Sequence, residues 1–225
     1  MTVILRVVGA VAAKDLRVEL RSRSALGSVL PFAATMLLAL GFSLGPGRAL
    51  LEQSAPGLLW LAGLFASVEL FHRSYQAEAD GGALEGLLLA PVDKGAIYLG
   101  KAAAAAAQLM VLFAITAAMV VVLFGLPIGP SPGLLLLTAI LGVIGLSSLG
   151  SLLGLLAVLG RTRQAALPVL VLPLVSPVII AAVRATTVLT QGSTDQVAGW
   201  LGLLVAFDAA FLAAGFLVFG YLLED

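Results

Sequence analysis

Long apolar stretches alternate with short polar connections along almost the whole chain. Because a helix needs about 20 mostly apolar residues to cross a bilayer, the pattern predicts six membrane-spanning helices. Their predicted bounds are 26–44, 58–71, 97–124, 133–159, 165–183 and 197–222. We therefore expect one all-α, polytopic membrane domain covering residues 1–225, with Trp60 as an interface anchor of the second span.

The segment that precedes the first span, residues 1–23, has the pattern of an amphipathic helix. Lys14, Arg17 and Arg21 recur at helical spacing and share one face, whereas Val11 and its apolar neighbours occupy another. A helix of this kind lies in the membrane interface with its cations toward the lipid headgroups. We expect residues 1–23 to form such an interfacial helix.

The main polar interruption lies between the second and third spans, at residues 73–96, and is called the hairpin below. Two adjacent glycines, Gly81 and Gly82, are expected to break the preceding helix. The leucines that follow, Leu84, Leu87 and Leu88, have i, i+3, i+4 spacing and give a short helix one apolar face. Pro91 ends that helix. A helix this short is unstable alone and needs a groove for its leucines. The alternative is that these leucines pack on the membrane interface or on the protein itself. Asp93 is placed to cap the third span.

Composition supports the assignment to the membrane. The chain is 61% hydrophobic and 11% charged, whereas a soluble domain carries about 25% charged residues. Its formal net charge of zero gives no support to a nucleic-acid partner. The absence of cysteine excludes disulfides, thiolate metal sites and cysteine nucleophiles.

The basic residues are distributed unequally between the two sides of the predicted topology. Arg48 and Arg184 fall on one side, and the other ten fall on the opposite side: Arg6, Lys14, Arg17, Arg21, Arg23, Arg73, Lys94, Lys101, Arg161 and Arg163. Since cytoplasmic loops carry the excess of Lys and Arg, we expect both termini and the hairpin to be cytoplasmic.

Acids within apolar spans are costly and point to function. Asp208 lies near the middle of the sixth span, where it could bind a partner cation, relay a proton or hydrogen-bond across a dimer; structural pairing is the equal alternative. Glu69 lies near the cytoplasmic edge of the second span, and a pair with Arg73 at i, i+4 is the favoured interpretation. Gly150 and Gly154 have the Gly-x-x-x-Gly spacing that lets helices approach closely.

The fifth span contains three prolines, Pro168, Pro173 and Pro177. They are expected to kink or unwind the helix and to free backbone carbonyls, which is tolerated only where protein or water satisfies those groups. A hinge and a bent packing helix are equally good interpretations.

The hairpin also follows a family pattern, acid-x-x-Gly-x-Leu-Glu-x-Leu-Leu-x-x-Pro, carried here by Glu78, Gly81 or Gly82, Leu84, Glu85, Leu87, Leu88 and Pro91. This pattern resembles the ABC-2 type exporter permeases. With the further segments 14–23, 55–67, 80–101 and 167–182, the chain is more closely similar to the haem exporter protein B (CcmB) family of cytochrome c maturation.

The resemblance implies a permease homodimer in the bacterial inner membrane, bound to two copies of a cytoplasmic ABC ATPase. It also implies a haem-handling membrane subunit and a small membrane subunit as partners. Residues 83–89 would be the coupling helix seated in the ATPase. The chain has no Gly-x-x-x-x-Gly-Lys-Ser/Thr loop, so ATP binds to the partner. Haem would be handled by the complex, and this chain is expected to be non-catalytic and to bind no cofactor directly.

The predicted function is therefore to couple ATP hydrolysis to haem export or to release of a haem-loaded chaperone at the periplasmic side. One alternative is an ABC-2 permease for another lipid-like or drug-like substrate. A secondary transporter would show inverted repeats, which are not evident. An intramembrane enzyme would need a paired Asp, a His-Glu metal motif or a Ser–His pair, and none is present.

Three more residues are candidates for contact with haem or a partner. Arg48 and Arg184 would face the periplasm and could meet a haem propionate; lipid headgroups or solvent are the alternative. His72, the one histidine, could ligate haem, but a residue at the cytoplasmic end of the second span is the favoured interpretation because a second ligand is missing.

Overall fold

The computed structural model describes residues 2–22, 24–80, 92–159 and 167–222. Within these ranges the chain forms seven helices and no strand: α1 Thr2–Ser22, α2 Ser24–Leu44, α3 Arg48–Asp80, α4 Lys94–Phe124, α5 Pro132–Leu159, α6 Leu167–Thr190 and α7 Val197–Leu222. Each of α2 to α7 contains a stretch long and apolar enough to cross a membrane. The prediction of an all-α protein with six spans after an amphipathic helix is confirmed.

Helix α3 is longer at both ends than the predicted span 58–71. It begins at Arg48, directly after a turn at 45–47, in which Gly45 has a left-handed φ of 77°. Its first turn is closed by an ion pair, with Arg48 Nε 2.9 Å from Glu52 Oε1. The helix then continues through Pro56 to Asp80. The predicted start was wrong because polar residues and a proline were interpreted as a helix boundary.

Helix α6 also extends beyond its predicted end at residue 183. It includes Arg184 and continues to Thr190. The threonines of this extension are accommodated because their hydroxyls donate to carbonyls of the same helix; for example, Thr187 Oγ1 lies 2.8 Å from the Val183 carbonyl oxygen. Its helical backbone is continuous across Pro173 and Pro177. Pro177 has no N–H for the Pro173 carbonyl, and the Ser176 hydroxyl donates to that oxygen at 2.8 Å.

Helix α5 lies at the centre of the bundle and packs against α3, α4, α6 and α7. Its glycines face large side chains: Gly142 lies under the ring of Trp60, and Gly150 under the ring of Phe71. A Cβ at either position would overlap the ring, so the close approach predicted for Gly150 is confirmed. Residues on the outer faces of the bundle, such as Val122 on α4 and Phe42 on α2, are exposed, as expected of a surface that meets lipid.

Helix α1 packs against the first turns of α4. Val11 is buried there against Gly100, where an added Cβ would lie 2.7 Å from Val11 Cβ and 3.0 Å from the Val8 carbonyl oxygen. The opposite face of α1 presents Arg17 and Arg21 to the outside. The helix is therefore held close to α4 by its apolar stripe.

Candidate functional site: the buried polar groups of the bundle

Most of the predicted coupling residues lie outside the described part of the chain. These are Gly81, Gly82, Leu84, Glu85, Leu87, Leu88 and Pro91; Glu78 belongs to the last turn of α3, but its side chain is also outside the described set. The structure does define both helices that the hairpin joins. Helix α3 ends at Asp80, α4 begins at Lys94, and the two helices pack on each other.

The predicted cap of the third span is confirmed. Asp93 Oδ1 accepts hydrogen bonds from the backbone N–H groups of Gly95, at 2.8 Å, and Ala96, at 3.4 Å. An N-cap carboxylate satisfies amide groups that have no partner within the helix. The chain that leaves the hairpin therefore enters α4 through a fixed, hydrogen-bonded turn.

A buried ion pair between α1 and α4 was not predicted. Lys101 was counted among the basic residues of the hairpin and its flanks, but it lies within α4 and its side chain is only 3% exposed. Its Nζ is 3.6 Å from Oδ2 of Asp15 on α1, whose side chain is 13% exposed. The other carboxylate oxygen of Asp15 is 2.9 Å from Lys14 Nζ. Asp15 thus pairs with two lysines, Lys14 near the surface and Lys101 in the interior.

A sequence signal for this pair existed. Asp15 follows Val8 and Val11 at i, i+7 and i, i+4, so it lies on the stripe of α1 that faces the bundle. An acid on the apolar face of an amphipathic helix requires a buried partner, because an isolated buried charge is costly. The partner itself could not be identified from the sequence, since α4 is distant along the chain.

The ion pair borders a small cavity where α1, α3, α4 and α5 meet, called the four-helix junction below. Its volume is about 10 Å³, which is room for roughly one water molecule. Polar and apolar side chains share its wall: Asp15, Leu70, Phe71, Lys101, Ala104, Ala105, Gln108 and Ser151.

Asp208 lies in the middle of the bundle, between α5, α6 and α7. Its side chain is 5% exposed, and neither carboxylate oxygen has a hydrogen-bond partner within the described ranges. A Cβ built on Gly145 would lie 2.8 Å from Asp208 Oδ1 and 2.8 Å from Val178 Cγ1. The carboxyl therefore faces a glycine of α5, and the candidate roles of Asp208 stay predictions.

Two aromatic residues form further polar links in the interior. The Tyr98 hydroxyl lies 2.9 Å from the Ser148 carbonyl oxygen and 3.2 Å from that of Phe211, linking α4 to α5 and α7. Trp60 Nε1 donates to Thr186 Oγ1 at 2.9 Å, linking α3 to α6. The prediction of Trp60 as an interface anchor is wrong, because its side chain is 1% exposed; its N–H finds a buried acceptor instead.

The remaining candidates lie apart from these links. Glu69 is half-buried on α3, while the side chains of His72 and Arg73 lie outside the described set. Arg48 is exposed and paired with Glu52. Arg184 is exposed on α6 rather than in the following loop. The proposed pair of Glu69 with Arg73 and the proposed haem contacts stay predictions.

A family model described as "CcmB protein" matches residues 6–221. The chain belongs to the CcmB protein family. The matched region runs from α1 into the last turn of α7, so the four-helix junction and Asp208 both lie within it. Membership agrees with the fold and makes the chain a multi-pass membrane protein, the permease component of a transporter.

Relatives named "Heme exporter protein B" match the chain over lengths that range from a part of it to almost all of it. The one from Paracoccus denitrificans is 30% identical over 201 residues, covering 89% of this chain and 90% of the relative. The one from Rhodobacter capsulatus is 30% identical over 171 residues, covering 76% and 78%. A third, from Escherichia coli K12, is 32% identical over 87 residues, covering 39% and 40%.

Proposed function

We propose that this CcmB-family chain is the membrane subunit of a haem exporter complex for c-type cytochrome biogenesis. ATP hydrolysis on a partner subunit would drive haem export, or release of a haem-loaded chaperone, at the periplasmic side. The observation that carries this proposal is the family match over residues 6–221. Relatives named for haem export support it.

The assignment of ATP to a partner rests on the sequence. The 225 residues contain no Gly-x-x-x-x-Gly-Lys-Ser/Thr loop, and that loop is what cradles the phosphates in P-loop ATPases. The hairpin is the segment that we propose for contact with the ATPase. Support comes from its position, since it joins α3 and α4, and both helices contribute to the core around α5.

We further propose that the chain lies in the bacterial inner membrane with both termini and the hairpin in the cytoplasm. The turns at 45–47, 125–131 and 191–196 share one end of the bundle: Gly41 lies beside Phe124, and Gly129 beside Leu189. Helix α1 lies on the first turns of α4, toward the other end. Because Lys101 is buried in α4, it no longer counts as a loop charge, but the remaining basic residues still favour the α1 end as cytoplasmic.

A homodimer, a haem-handling membrane subunit and a small membrane subunit complete the proposed complex. The exposed apolar faces of α2 and α7 leave room for such neighbours in the membrane. The chain would bind no cofactor of its own, and haem would be the cargo of the complex.

The proposal is tested by affinity purification of the tagged chain from its native membranes, with and without changes in the hairpin. The triple variant Leu84→Glu, Leu87→Glu, Leu88→Glu places charges on the face that would enter the ATPase groove. Ile128→Glu is the matched control, because Ile128 is an exposed apolar residue in the turn at 125–131.

We expect the unchanged chain and the Ile128→Glu control to retain a nucleotide-binding subunit, and the triple variant to lose it. A secondary transporter would retain no ATPase in any sample. Equal recovery of the ATPase with the triple variant would show that the hairpin leucines are not the contact.

A further inference from the structure

The attachment of α1 to α4 is more specific than lipid binding requires. An amphipathic helix is held in the membrane interface by its apolar face and its cations, and neither needs a buried ion pair. Here Lys101 of α4 is 3% exposed and 3.6 Å from Asp15 of α1. Gly100, the residue before it, lets the α1 backbone approach α4 more closely than a side chain would allow.

This attachment lies close to the ends of α3 and α4 that face each other across the hairpin. Phe71 and Leu70 of α3 and Lys101 of α4 border the four-helix junction. At 1.5 Å per helical residue, the junction is about 14 Å from Asp80, where α3 ends, and about 10 Å from Lys94, where α4 begins. Phe71 is also seated against Gly150 of the central helix α5. A displacement of the hairpin would therefore reach this junction along either helix; on the α4 side, the contacts of Tyr98 with α5 and α7 come before it.

We propose that the Asp15–Lys101 ion pair is a coupling joint, which makes α1 move together with the base of the hairpin. The two side chains are positioning residues and touch no substrate. The inference rests on the proposed function, in which the hairpin receives the force of ATP hydrolysis. It adds that α1 takes part in the transmission of that force and is not a passive anchor.

The first test compares Lys101→Met with Arg6→Met in the complete complex with its ATPase. Lys101→Met keeps the length of the side chain and removes its charge, whereas Arg6 lies on the exposed surface of α1. We measure ATP hydrolysis by the complex and, in cells, covalent haem attachment to c-type cytochromes. We expect Lys101→Met to retain the ATPase and its hydrolysis but to lower haem attachment about tenfold, within the usual range of coupling energies. Arg6→Met is expected to change neither.

The second test restores the joint by another bond. The chain has no cysteine, so Val11→Cys with Gly100→Cys introduces a single possible disulfide within it. The Cβ positions lie 2.7 Å apart, so a shift of about 1 Å brings them to the Cβ separation of a disulfide. In the Lys101→Met background, we expect oxidation to form this bond and to restore coupling relative to the reduced sample.

The outcomes distinguish failure of the proposed coupling joint from failure of the proposed function on which it rests. If the unchanged chain brings down no ATPase, the proposed function fails. If the complex is intact and Lys101→Met is as active as Arg6→Met, the joint is wrong while the function stands. Failure of the disulfide to form, or its formation without recovery of haem attachment, would equally overturn the joint.

Discussion

At the scale of single residues, the absence of a side chain at Gly145 leaves room for the Asp208 carboxylate in the middle of the bundle. A Cβ at residue 145 would lie 2.8 Å from both the Asp208 carboxylate and the Val178 side chain. We expect Gly145→Ala to lower the free energy of unfolding by about 1–3 kcal/mol through overpacking. Asp208→Ala in the same chain should recover part of this loss, because it removes one of the two obstructing groups.

Thermal unfolding in detergent measures this effect. Gly202→Ala is the matched control, since Gly202 is exposed on α7 and no atom lies within 4 Å of an added Cβ. Strict additivity of the Gly145 and Asp208 substitutions would contradict the contact, because residues that touch are expected to couple.

A second prediction for single residues concerns how much the Asp15–Lys101 ion pair stabilises the packing of α1 on α4. Asp15→Asn takes the carboxylate away from a lysine that stays buried, and we expect a loss of about 3 kcal/mol in the stability of the α1 attachment. Lys101→Met added to Asp15→Asn should recover most of it, because a neutral pair leaves no buried charge. The rate of tryptic cleavage after Arg17 and Arg21 measures the detachment. A double variant as unstable as Asp15→Asn alone would rule out the ion pair as the cause.

At the scale of helices, a buried hydrogen bond from Trp60 Nε1 to Thr186 Oγ1 links α3 to α6. Thr186→Val keeps the side-chain shape but leaves the indole N–H of Trp60 without its acceptor. We expect a loss of about 1–3 kcal/mol, measured as a lower Tm together with a change in tryptophan fluorescence. Thr187→Val is the control, because its hydroxyl donates to its own helix, at Val183. Equal Tm values for the two variants would show that the interhelical bond contributes nothing.

The bounds of the helices show what the sequence could and could not predict. The bounds of α7 match the prediction, and those of α4 and α5 differ from it by three residues or fewer, because apolar runs there are bounded by turn residues or by a cap such as Asp93. Helices α3 and α6 were predicted too short because polar residues were interpreted as loops. Those residues are satisfied by tertiary or local bonds: Arg48 by Glu52, and Thr186 by Trp60 and its own helix.

Some features of the candidate site could be predicted from the sequence, and others could not. The Asp93 cap could be predicted because its partners are the next residues in the chain. The partner of Asp15 and the environment of Asp208 could not, because they depend on how distant helices pack. A polar residue in an apolar pattern shows that a partner is needed, but only the fold determines which one.

At the scale of the whole molecule, the lack of cysteine allows the orientation to be measured directly. Single substitutions Ile128→Cys and Ser193→Cys lie in turns at the end that we assign to the periplasm, whereas Arg21→Cys lies on α1. In cells with a permeable outer membrane, we expect a membrane-impermeant thiol reagent to label the first two and to label Arg21→Cys only after lysis. The opposite labelling would invert the topology that the basic residues predict.

Site-specific photo-crosslinking shows directly whether the hairpin between α3 and α4 contacts an ATPase, as we propose. A photoreactive maleimide attached to Leu88→Cys reports the neighbours of that residue, and the same probe at Ile128→Cys is the control. We predict that the probe at residue 88 crosslinks to a nucleotide-binding subunit in native membranes and that the probe at residue 128 does not. No such product from residue 88, or an equal product from residue 128, would show that the hairpin is not the ATPase contact.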